Sequence, residues 1–168
     1  MKYQMLALAL TIGIAGTPRR SPAQEAMAAP ASTNTALSAV PIHQEVDFAV
    51  GPERLYEALL DDTKFTAFSQ GVAGPATINR DVGGAFSLFG GYIVGRNLEL
   101  IPNRRIVQAW RAGSWPDGVY SIVRFELQAQ GTGTHLVFDH TGFPQDQREH
   151  LVAGWEEHYW ALLKRYFR

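Results

Sequence analysis

Hydrophobic and polar positions alternate along residues 42–48, with Ile42, Gln44, Val46 and Phe48 on one side and His43, Glu45 and Asp47 on the other. A period of two marks a strand with one buried face. The period then lengthens. Leu55, Tyr56, Leu59 and Leu60 recur at helical spacing behind Gly51-Pro52-Glu53. Proline is tolerated early in a helix, and an acid there meets the positive end of the dipole. Asp61 or Asp62 is placed to cap a second short helix through Phe65 and Phe68. Six short runs with strand character follow, at 76–80, 85–89, 92–100, 105–111, 119–129 and 134–141. The turns between them carry Gly, Asn or Asp, the chemistry of an antiparallel meander. In the fifth run Val119, Ser121, Val123, Phe125 and Leu127 share one face, while Arg124 and Glu126 share the other. After Pro144-Gln145-Asp146 the helical period returns in Leu151, Trp155, Tyr159 or His158, Leu162 and Tyr166. Arg148, Glu149, Glu156, Lys164 and Arg165 occupy the opposite side, so the chain is expected to end in one long amphipathic helix.

The element order is one strand, two short helices, six strands and a long helix. A curved antiparallel sheet of that length grips the last helix and leaves a cavity between the two. The fold class is therefore α+β, a helix-grip arrangement, with the domain at 41–168. Residues 17–40 differ in character. They are rich in Ala, Pro, Ser and Thr and hold no aromatic residue, so 24–40 reads as a flexible linker. Met1-Lys2 is a short positive start, and Met5–Gly16 is an apolar run. That run is well short of the about 20 residues that span a bilayer. Small-residue sites follow at Ser21-Pro22-Ala23 and Ala26-Met27-Ala28, so 1–23 reads as a signal peptide and the mature protein as periplasmic or secreted. An uncleaved apolar N-terminus would instead leave it cytoplasmic.

Several stretches resemble one family in order and spacing across nearly all of 42–168. They are Leu55-Tyr56-Glu57-Ala58-Leu59 with Asp61, Phe65-Thr66-Ala67-Phe68-Ser69, Asp81-Val82-Gly83-Gly84-Ala85-Phe86 and Phe89-Gly90-Gly91. Stronger are Asn97-Leu98-Glu99-Leu100, Ile106-Val107-Gln108-Ala109-Trp110-Arg111, Trp115-Pro116, Gly131-Thr132-Gly133-Thr134 and His140-Thr141-Gly142-Phe143-Pro144. Trp155 and Tyr159-Trp160 close the pattern. The set is similar to the homologues of the activator of heat-shock protein 90 ATPase, within the START-like (SRPBCC) superfamily. The resemblance implies a START-like helix-grip fold. In the family's eukaryotic co-chaperones an additional N-terminal domain engages the chaperone, and the resemblance here covers only the other domain. START-like relatives also include cyclases and hydrolases that work in the sheet–helix cavity, so the resemblance implies a scaffold before an activity.

Composition narrows the chemistry. The 168 residues contain no cysteine, which removes disulfides, thiolate metal ligands and a thiol nucleophile. The five histidines are scattered without ligand spacing, and no metal or other cofactor is expected. Losing Lys2, Arg19 and Arg20 with the leader takes the 15 basic residues to 12, against 16 acidic ones. Without a basic concentration, nucleic-acid binding lacks its electrostatic footprint. No Walker loop, dinucleotide fingerprint or Ser-His-Asp order is present. Gly83-Gly84 and Gly90-Gly91 lead into strands, where glycines serve turns and bulges.

What remains is aromatic. Phe68, Phe86, Phe89, Trp110, Trp115, Trp155, Tyr159 and Trp160 are candidates both for core packing and for the wall of an apolar cavity. His140 shares the parity of Leu136 and Phe138 and is expected to point at the helix. There it either acts as a general base or supports the turn at Gly142. Arg111 is expected outward, paired with Glu126 or Asp139 across strands, with anion binding as its alternative. Glu156 and Glu157 are adjacent on a helix and share no face, so they read as solvated. The expected site is Phe68, Phe86, Trp110, Trp115, His140, Trp155 and Tyr159. Its expected partner is a small hydrophobic molecule or apolar peptide, bound without catalysis. A cavity hydrolase or cyclase and a co-chaperone-like partner binder are the alternatives.

Overall fold

The computed structural model describes residues 35–70, 72 and 74–168. The expected signal peptide and most of the expected linker lie outside the described residues. Strand β1 spans Ile42–Phe48, followed by helices α1 (Pro52–Leu60) and α2 (Asp62–Phe68). The sheet continues with β2 (Thr77–Ile78), β3 (Ala85–Leu88), β4 (Ile93–Ile101), β5 (Arg105–Ala112), β6 (Ser121–Gln130) and β7 (Gly133–Thr141). Helix α3 runs over 148–166. All seven strands form one antiparallel sheet in the order β1-β7-β6-β5-β4-β3-β2, and its inner face packs on α3.

The local signals operate as the sequence dictates. Pro52 opens α1, and the Asp61 side chain accepts from the Lys64 backbone N–H at 2.9 Å to cap α2. At Pro102-Asn103 the β4–β5 turn needs a left-handed residue, and Asn103 supplies it with φ 60°. Strand β2 is shorter than the expected run at 76–80. The Asn79 backbone N–H still donates to the Ala85 carbonyl at 3.0 Å, but its side chain accepts from the Asp81 N–H at 2.9 Å, and this turn ends the ladder.

Two expectations are corrected. Residues 36–40 read as linker, yet Leu37 pairs with Pro144, and the Ser38 N–H donates to the Phe143 carbonyl at 2.8 Å. Gln145 N–H donates to the Ala36 carbonyl, and Arg148 donates to the Val40 and Pro41 carbonyls. Backbone pairing needs no apolar side chains, which is why composition did not reveal it. The second correction concerns α3, whose turn at Glu156–Trp160 is π-helical. A wider turn inserts one residue and advances the buried stripe. Leu151, Trp155, Tyr159, Trp160 and Leu163 are buried, whereas Tyr166 is exposed and Leu162 only half-buried.

Strand pairing also decides Arg111. Arg105 lies opposite Glu126, and Arg124 opposite Asp139. Those arginines take the two acids, at 2.6 Å each. The β5–β6 ladder ends at Trp110–Ser121, leaving Arg111 without a β6 neighbour. Arg111 therefore bends to the following loop, donating to the Trp115 carbonyl at 2.8 Å and to Asp117 at 3.0 Å.

Candidate functional site

One end of the sheet–helix interface stays open as a cavity of about 320 Å³. The β3–β4 connection supplies Phe89, Tyr92 and Ile93, and β5 with its following loop supplies Trp110, Ala112 and Trp115. Helix α3 closes the other side with Leu151, Gly154, Trp155 and Tyr159, and with His150 and His158 at the exposed rim. Val72 borders it from the loop after α2. Gly154 makes part of this room, because a Cβ built there meets no atom within 4 Å. A glycine in a helix costs stability, and here it leaves space open. The Arg111–Trp115 bond holds one wall, and Tyr92 Oη bonds Ser114 Oγ at 3.2 Å across the same loop.

Of the residues expected in the site, Trp110, Trp115, Trp155 and Tyr159 line this cavity. Phe68 does not. It packs on Phe65, with ring centres 4.6 Å apart, and on Tyr159 from behind. Phe86 covers the backbone of Gly95, where any Cβ would collide with its ring. Trp160 turns to β1 and donates to Gln44 Oε1 at 2.8 Å. Glu156 and Glu157 are solvent-exposed. Leu151, Gly154 and His158 line the cavity in addition to the expected residues. Their spacing from Trp155 and Tyr159 was the available signal. Tyr92 and Val72 come from loops, where no periodicity announces them.

His140 points inward but lies one layer behind the cavity wall and is wholly buried. Its environment is fully specified. The Trp155 indole N–H donates to His140 Nδ1 at 3.0 Å. An indole nitrogen only donates, so Nδ1 is the lone-pair nitrogen and Nε2 carries the proton. Nε2 donates to Ser121 Oγ at 2.7 Å, and Ser121 donates on to the Trp110 carbonyl at 2.9 Å. Burial pushes the imidazole down to about 3, so it is neutral at pH 7. With both nitrogens committed, this histidine orients the Trp155 indole and holds Ser121 against the backbone carbonyl of Trp110. Among the described residues no three His, Asp or Glu side chains gather where a metal ion could be held.

A long helix gripped by a seven-stranded antiparallel sheet, with an aromatic cavity between them, defines a START-like domain of the SRPBCC class. The Activator of Hsp90 ATPase homolog 1-like protein family matches residues 49–168, and the chain belongs to that family. It is 30% identical over 120 residues to the human activator of 90 kDa heat shock protein ATPase homolog 1, covering 71% of this chain and 35% of that protein. The Dictyostelium discoideum homolog is 34% identical over 122 residues, covering 72% of this chain and 31% of that protein. The chain thus spans about a third of the curated relatives it matches. Among solved structures, an HSP90 activator from Plasmodium falciparum superposes with a TM-score of 0.66 at 28% identity, over 71% of this chain and 89% of that one. CalU16 from Micromonospora echinospora shares the fold, with a TM-score of 0.63 at 21% identity over 76% and 75% of the two chains.

Proposed function

We propose that this domain is a non-catalytic binding module that takes a small apolar molecule, or an apolar peptide side chain, into the sheet–helix cavity. The aromatic-walled space of about 320 Å³ carries the reading, since apolar pockets with a few polar groups are the usual form of small-molecule sites. The commitment of both His140 nitrogens supports it further, because a general base needs a free lone pair facing the substrate. The neutral fluorophore N-phenyl-1-naphthylamine should gain fluorescence on binding. Native mass spectrometry of protein from its own host should find a noncovalent adduct that is lost on unfolding. A protein that binds no apolar probe and carries no adduct would overturn the reading. Substrate turnover lost in a folded His140→Gln variant would favour the hydrolase or cyclase alternative.

The names of the curated relatives favour a second reading, in which the domain engages a chaperone of the Hsp90 type. The cavity reading expects the ATPase rate of such a chaperone to be unchanged by this protein, and an increase would favour the second. The N-terminal sequence supports a place of action outside the cytoplasm. Among the described residues no helix is long and apolar enough to cross a membrane. The apolar run Met5–Gly16 and the small-residue sites after it support export. N-terminal sequencing should find the mature chain starting between Ala23 and Ala29, outside the cytoplasm. A chain starting at Met1 in the cytosolic fraction would overturn export.

A further inference from the structure

The polar groups around the cavity's deep wall are almost all committed. Trp155 N–H, both His140 nitrogens, the Ser121 hydroxyl and the Trp110 carbonyl form one ordered chain of donors and acceptors. Trp110 itself breaks the pattern. Its indole Nε1 is buried and has no acceptor among the described residues, although the side chain is only 4% exposed. The other such atom, Arg111 Nε, belongs to the next residue of the strand and so to the opposite face of the sheet. Leaving a buried N–H unpaired is costly, so this corner is where hydrogen bonding around the cavity is incomplete among the described residues.

The neighbour of that N–H is the Tyr159 hydroxyl, close enough for the indole to pull the phenol down against the larger effect of burial, yet outside good hydrogen-bond geometry. Both side chains line the cavity. Burial holds the Tyr159 phenol above its ordinary value, so it keeps its proton across the physiological range. The corner therefore presents two N–H or O–H donors side by side and no obligate acceptor. A phenol can accept one hydrogen bond while donating another.

Building on the apolar-ligand reading above, we propose that this corner selects ligands carrying one neutral hydrogen-bond acceptor, a carbonyl-type oxygen, on an otherwise apolar body. The ligand oxygen accepts the Tyr159 O–H. With that proton turned into the cavity, the Tyr159 oxygen offers its lone pair to the Trp110 N–H. The bond accepted by the ligand polarises the Tyr159 oxygen and strengthens it as an acceptor for the neighbouring Trp110 N–H. The aromatic walls hold the apolar remainder. A purely hydrocarbon ligand would leave the Tyr159 O–H without an acceptor, and an anionic one would lose its solvation at a corner that offers no cation.

A matched pair of probes tests this: 2-acetylnaphthalene and 2-ethylnaphthalene, nearly identical in shape and differing by the ketone oxygen. Affinities are measured by displacement of N-phenyl-1-naphthylamine and by calorimetry, on the wild type and on Tyr159→Phe. Tyr159→Phe should weaken the ketone by about threefold to tenfold, the net value of one hydrogen bond, and leave the hydrocarbon within about twofold. If Tyr159→Phe does not fold, Trp110→Phe reads the same quantity, with selective weakening of the ketone expected. Equal weakening of both probes would make these residues mere wall and overturn the acceptor corner, while the apolar-cavity reading would stand. If neither probe binds the wild type, the cavity reading falls and this inference falls with it.

Discussion

At the scale of single residues, His140 and Gly154 show opposite uses of a conspicuous position. His140 is a buried, neutral imidazole whose two hydrogen bonds align Trp155 and Ser121. Replacing Trp155 by Phe keeps an aromatic body but removes the donor to Nδ1. Urea denaturation should show a loss of about 1–3 kcal/mol from the unpaired nitrogen. Trp155→Ala also empties a core position and should cost about 3–5 kcal/mol. A loss under about 1 kcal/mol for the alanine variant would contradict the packing of α3 on the sheet. Gly154 contributes by lacking a side chain. Gly154→Ala should stabilise the protein by about 0.5–1 kcal/mol, because the Cβ meets nothing and helix entropy improves. Gly154→Leu should keep most of that stability and weaken N-phenyl-1-naphthylamine binding by filling the cavity. Unchanged probe affinity in that variant would place the binding elsewhere.

At the scale of elements, the π-helical turn of α3 decides which aromatics face the sheet. Trp155 and Trp160 stand five residues apart and stack with an interplanar angle of 20° and ring centres 5.7 Å apart. In a regular α-helix five residues span 500° and the two rings would diverge by about 140° around the axis. The inserted residue lets Tyr159 reach the cavity while Trp160 ties α3 to β1 through Gln44. The segment before β1 acts as a second tie. Its backbone pairs with 143–145, and Arg148 at the start of α3 donates to its carbonyls. A chain beginning at residue 41 should therefore melt several degrees below one beginning at residue 35, a deficit of roughly 1–3 kcal/mol. Equal melting temperatures by calorimetry would show that these bonds add nothing in solution.

At the scale of the whole molecule, His140 imposes a pH dependence. Its folded value of about 3 lies below the ordinary imidazole value of 6.5. Between those limits the unfolded chain binds a proton that the folded chain refuses, so unfolding is favoured as pH falls. The His140 contribution is complete above about pH 6.5 and is lost on acidification, at up to about 1.4 kcal/mol per pH unit, until the folded value is reached. His43 acts in the other direction. Hydrogen bonds to Asp139 and then Glu45 raise it, so its small, exposed contribution is present at low pH and lost as pH rises. Chemical denaturation across pH 4–8 should show stability rising with pH, and His140→Gln should flatten that slope. A slope unchanged by the substitution would mean that His140 does not titrate as described.

The sequence by itself determined the α+β class, the order of elements and the seven-strand count, because periods of two and of about 3.6 are set by backbone geometry. It also determined that the domain is aromatic at its centre and that His140 points inward, since strand parity is a local property. It did not determine the alignment of α3, because a single inserted residue shifts a helical stripe and leaves no mark in composition. Nor did it determine which aromatics line the cavity. Phe68 and Trp115 are alike as residues, yet one packs behind α3 and the other on the open side, a choice made by sheet curvature and by the loop that Arg111 holds. Above all, the tautomer of His140 and the orphan N–H of Trp110 exist only in three dimensions. A hydrogen bond joins residues through space, and β5, β6, β7 and α3 meet only in the folded molecule.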